Sequence, residues 1–128
     1  MTSGGASLGD VRALVIALAV FVAAEAPAPP PALSDEAKID ALIQAVAELR
    51  DAVFVRNGSD YDAKAAAEHL RLKRNRAGSR VQTADDFIRL CGSISSLTGQ
   101  PYLIRYADGR VETSEAFLRR QLVLLGNQ

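Results

Sequence analysis

Residues 101–113 read PYLIRYADGRVET, and their pattern sets the fold class. Tyr102, Ile104 and Tyr106 alternate with Leu103 and Arg105, the two-residue period of a strand with one buried face. Asp108-Gly109 follows, a pair that accepts the positive φ angles of a tight hairpin turn. Residues 110–113 then return as a short second strand. An isolated hairpin is marginal in water, so this one is expected to pack on helices.

The flanking chain supplies them. After the hairpin, Ser114 is placed to cap a helix ending near Leu125, with Phe117, Leu118, Leu122 and Leu125 inward. Before it, Thr83-Ala84-Asp85-Asp86 has the form of a capping box and opens a helix running to about Ser95, with Phe87, Cys91 and Ile94 on its inner face. A further helix is expected from about Asp60 to Arg76, preceded by Ser59-x-x-Asp62 as a second box and stopped by Gly78. The first helix starts at Ser34, with Asp35 and Glu36 at its positive end. Its stripe of Ile39, Leu42, Ile43, Val46, Leu49 and Val53 carries it to about residue 53, with Arg50 snorkelling over the core edge. Asn57-Gly58 reads as the turn between the first two helices. The expectation is a small, mostly helical α+β domain: about four helices with one β-hairpin packed on them.

Upstream, residues 13–24 read ALVIALAVFVAA. An apolar run of about a dozen suits a signal-peptide core and falls short of the ~20 residues that span a bilayer. Arg12 precedes it, and Val22-Ala23-Ala24 offers small residues for cleavage after Ala24. The division is then 1–24 signal peptide, 25–33 a Pro/Ala-rich stiff spacer, and 34–128 a single globular domain. The expected location is periplasmic or secreted, with no stable membrane anchor after cleavage.

Composition removes several classes of function. Fifteen basic and fifteen acidic side chains cancel to a formal net charge of zero, so no global field favours nucleic acid. Aromatic residues are 5% of the chain and Trp is absent, thin for base or sugar stacking. One cysteine, Cys91, permits no intrachain disulfide, and one histidine, His69, makes a metal centre improbable. No cofactor is expected.

Four motifs in order carry a resemblance. They are residues 54–61 (FVRNGSDY); Ala66-Ala67-x-His69-Leu70-x-x-Lys73; Thr83-Ala84-x-Asp86-Phe87-Ile88; and Ser93-x-Ser95-Ser96-x-Thr98-Gly99-x-Pro101-Tyr102. Together, over about residues 36–125, they resemble the YfeK-like family of small exported bacterial proteins built on a domain of unknown function. That resemblance implies export and fold, and brings no activity or ligand. The family has a small residue where this chain has Cys91, which argues against thiol chemistry.

Two sets of residues are candidates for chemistry. His69 with Ser95 or Ser96 is the weaker: a serine hydrolase needs an orienting carboxylate and an oxyanion hole, and no Gly-x-Ser-x-Gly elbow is present. The stronger is a ligand-binding surface. Arg56, Asn57, Gly58 and Tyr61 form a turn that can present N–H groups and a positive charge. Arg71, Lys73 and Arg74 belong to a basic stretch, 69–80, that contains no acid, and Tyr102 lies on the neighbouring loop. The preferred expectation is a non-catalytic interaction or ligand-binding module of the cell envelope, its partner an envelope protein or an anionic ligand. The alternatives are a small hydrolase using His69 and a structural accessory subunit.

Overall fold

A computed structural model of the protein describes residues 19–24, 26–28 and 31–126. The chain divides at Pro30 into two units. In the first, the described residues form neither helix nor strand, and most of the expected signal peptide, residues 1–18, lies outside the described residues. Among the described residues no helix is long and apolar enough to cross a membrane.

The second unit begins as its sequence dictates. Ser34 Oγ accepts from Ala37 N at 3.1 Å, and helix α1 spans Asp35–Ala47 with Ile39, Leu42, Ile43 and Val46 buried. It stops six residues short of Val53. Residues 53–56 (VFVR) instead form strand β1 (Val53–Arg56), which pairs antiparallel with β2 (Ser59–Tyr61). Asn57 and Gly58 both take positive φ, 52° and 78°, the conformation of the favoured two-residue hairpin turn. The β-branched, alternating Val53-Phe54-Val55 outweighs the helical stripe that runs into it, because a partner strand is available.

That partner is β3 (Leu103–Arg105), which also pairs with β4 (Val111–Thr113). The single hairpin expected at residues 101–113 is therefore half of a four-stranded antiparallel sheet in the order β2-β1-β3-β4. Phe54 sits opposite Ile104, and both are buried against the helices. The α+β class stands, with more sheet than the sequence reading supplied.

Helix α2 (Ala63–Ala77) starts on Asp62, whose carboxylate accepts from Ala65 N at 2.8 Å. Asp62 is thus the cap itself, and Ser59 and Tyr61 belong to β2 rather than to a capping box and helix. Gly78 ends the helix at φ 55°, a left-handed conformation that glycine accepts without strain. A 3₁₀ turn, Gly78–Arg80, follows.

The expected capping box at Thr83 is formed in full. Thr83 Oγ1 accepts from Asp86 N, and Asp86 accepts from Thr83 N. Helix α3 (Ala84–Phe87) passes directly into a π-helical turn, Ile88–Gly92, ending before the expected Ser95. Phe87, Ile88 and Cys91 are fully buried there, and burial pushes the Cys91 thiol pKa up. A widened turn leaves carbonyls without regular partners. The buried Ser93 hydroxyl answers one by donating to Ile88 O at 2.7 Å.

Helix α4 (Ser114–Gly126) lays Phe117 and Leu118 on this core. Thr113, not Ser114, supplies the capping oxygen, accepting from Ala116 N at 3.1 Å. Ser114 is buried and donates its backbone N–H to Tyr102 O at 2.8 Å, which ties the helix to the start of β3.

Candidate functional site

The site lies where the end of the β1–β2 hairpin, one face of α2 and the loop before β3 meet. Arg56 closes β1 and Tyr61 closes β2. His69, Lys73 and Arg76 come from α2, and Arg80 from the 3₁₀ turn behind it. At about 100° per residue, positions 69, 73 and 76 fall within roughly 60° of one another on a helix. They therefore form one stripe.

The turn is anchored to the loop by side chains. Asn57 Nδ2 donates to Ser95 Oγ at 3.0 Å, and Thr98 Oγ1 donates to Asn57 Oδ1 at 2.6 Å. Ser95 Oγ also accepts from Leu97 N at 3.2 Å. Asn57 thus positions the loop, and Gly58 supplies backbone geometry with no neighbour crowding its α-carbon.

His69 is the hub. Arg56 Nη1 lies 2.7 Å from His69 Nδ1 and 2.8 Å from Nε2, while Tyr102 Oη lies 3.2 Å from Nε2. Tyr102 Oη also accepts from Lys73 Nζ at 3.0 Å, and Lys73 donates to Ile94 O at 3.0 Å. With Nε2–H donating to Tyr102, Nδ1 is the ring nitrogen that accepts from Arg56, and the approach of Nη1 to Nε2 is a close contact rather than a second hydrogen bond. Arg56 Nη2 donates to Tyr61 Oη at 3.0 Å, its guanidinium 4.8 Å from the centre of that ring. Burial, helped by the positive charges of Arg56, Lys73 and Arg76, lowers the His69 pKa to about 4. The ring is therefore neutral at physiological pH.

Arg56, His69 and Tyr102 form a wall shared by two cavities. On one side is a cavity of about 380 Å³, lined by Lys73, Arg76, Arg80, Asn57, Ser95 and Ser96 as well as the wall. Among the described residues no carboxylate lines it. On the other side is a cavity of about 300 Å³ with a mostly apolar lining.

The ion pairs sharpen the contrast. Arg74, Arg89, Arg105, Arg110, Arg119 and Arg120 each meet a carboxylate. Arg56, Lys73, Arg76 and Arg80 form no salt bridge among the described residues.

Of the residues expected from sequence, Arg56, Asn57, Tyr61, Lys73 and Tyr102 converge here. Arg71 and Arg74 do not. About 140–200° around the helix from His69, they face elsewhere. Arg74 binds Asp40 at 2.7 Å and Glu36 at 3.4 Å, joining α2 to α1, and Arg71 is exposed outside both cavities. Arg76 and Arg80 take their place; the helical spacing 69, 73, 76 is the signal for Arg76, and Arg80 joins from the 3₁₀ turn. Ser95 and Ser96 share the cationic cavity with His69, but the hydrogen bonds of His69 go to Arg56 and Tyr102 rather than to a serine. Among the described residues no carboxylate bonds its ring.

The uncharacterised protein YfeK of Salmonella typhimurium (strain LT2) is 44% identical to this chain over 68 residues, covering 53% of this chain and 57% of that protein. The chain thus spans a little over half the length of the curated relative it matches. No solved structure matches it. A family model described as "Family of unknown function (DUF5329)" matches residues 33–125, the whole of the folded unit from just before α1 to the last turn of α4. The YfeK-like resemblance read from the four motifs therefore holds, and the chain belongs to this family of unknown function.

Proposed function

We propose that the domain is a non-catalytic binding module of the cell envelope whose ligand carries an anionic group. One observation carries the reading. Four cations, Arg56, Lys73, Arg76 and Arg80, line a single cavity in which, among the described residues, no carboxylate neutralises them. Gathering like charges costs free energy, and an anion in their midst recovers it. The hydroxyls of Tyr102, Ser95 and Ser96 add polar groups for its remaining oxygens. Placement in the envelope rests on the apolar run at residues 13–24 and the small residues that follow it.

Calorimetric titration with inorganic phosphate tests the binding. Saturable binding is expected, weakened about tenfold or more by the paired reversals Arg76→Glu and Arg80→Glu, since each changes the charge facing the ligand by two. Equal affinity in the wild type and the double variant contradicts the reading.

A further inference from the structure

We propose that the ligand is an amphiphile, its anionic head held in the cationic cavity and a short hydrocarbon arm laid across the shared wall into the apolar one. This rests on the anion-binding reading above and adds the second half of the molecule.

The wall is the reason to join the two cavities. Arg56, His69 and Tyr102 line both, so a group seated against them from the cationic side borders the apolar side. There the lining is Phe54, Val55, Ala65, Ala66, Leu70 and Leu72, with Tyr61 at the Arg56 end. Ala65 and Ala66 keep this space open by lacking longer side chains. Leu72 is 44% exposed at its rim, an apolar surface that a hydrocarbon arm would cover. Glu68 also borders the apolar cavity and offsets the charge of Arg56 there, whereas the cationic cavity has no such offset among the described residues. The two cavities thus discriminate one end of a ligand from the other. Each falls near the small end of the range for ligand sites, which suits a short arm.

The shared chemistry is a phosphate or carboxylate head on a hydrocarbon, whether free in solution or presented by a lipid. Calorimetry with inorganic phosphate and with hexyl phosphate tests it. Each buried methylene is worth about fourfold in affinity, so two or three predict hexyl phosphate binding more than tenfold tighter than phosphate. Leu72→Asp and Ala65→Leu, one charging the rim and one filling the space, are each expected to erase that gain. Cosedimentation with phosphatidylcholine vesicles carrying phosphatidic acid identifies a lipid as the source; hexyl phosphate binding without cosedimentation identifies a free amphiphile. Equal affinity for phosphate and hexyl phosphate overturns the amphiphile and leaves the anion site standing. No binding of either overturns both.

Discussion

Arg56 and Tyr102 hydrogen-bond His69, and its burial there makes a histidine that resists protonation. Its pKa falls from the ordinary 6.5 to about 4, chiefly through burial. In the unfolded chain the ring takes a proton as pH drops below 6.5, whereas the folded protein refuses it until about 4. The unfolded state therefore binds more protons in that window, and stability falls as pH falls through it. Thermal unfolding followed from pH 7 to 4 is expected to show this decline, and His69→Asn to flatten it. Gly92 makes a separate prediction. A Cβ there would collide with Leu118 Cδ1 in the core, so Gly92→Ala is expected to cost about 1–3 kcal/mol in denaturant unfolding. Individual positions were unevenly legible in the sequence. Cys91 reads correctly as buried because it shares a period with Phe87. Arg71 and Arg74 lie on other faces of α2 than His69, and a basic run says nothing of which face each charge occupies until the helical angle is applied.

Helices α1 and α3 announced themselves through their N-caps; α2 and α4, capped by Asp62 and Thr113 instead, and the β1–β2 hairpin did not. Ser34, Thr83 and Gly78 act at helix ends as their residue types predict. Asn-Gly between two β-prone runs is the strongest short-range hairpin signal. Here it is disguised as a helix–helix turn, because the stripe of α1 continues in register to Val53 and Ser59-x-x-Asp62 mimics a box. What resolves the ambiguity is β3, some fifty residues away, whose pairing no local pattern reveals. The π turn after α3 is likewise hidden, since it depends on Gly92 seating Leu118 and on Ser93 bonding Ile88. Two tests belong here. Thr83→Ala removes one half of a capping box and is expected to cost about 1 kcal/mol. Asn57→Ala loses the bonds to Ser95 and Thr98 and a favoured left-handed residue, and is expected to cost about 1–3 kcal/mol while weakening phosphate binding through the displaced loop.

A net charge of zero concealed the feature on which the functional reading turns. Carboxylates are spent on arginines elsewhere on the domain, and the cavity keeps its cations, so composition reports balance where the fold has made separation. Tyr106, Glu112 and Arg120 show the paired arrangement. Arg120 grips Glu112 at 2.8 and 2.9 Å, Tyr106 donates to the same carboxylate, and the Tyr106 pKa is pushed up to about 12, mainly by burial and then by that bond. Among the described residues no carboxylate pairs with Arg56, Lys73, Arg76 or Arg80. His69 reports from inside this cluster, and its imidazole protons can be followed by NMR across the pH range. Titration with and without sulfate, at matched ionic strength, is the decisive measurement, because sulfate keeps its charge throughout. An anion seated among the four cations offsets the repulsion that Arg56 and Lys73 exert on the protonated ring, so the His69 pKa must rise from about 4 when sulfate is bound, and rise less in Arg76→Glu. An identical titration in both conditions would mean that no anion enters the cavity.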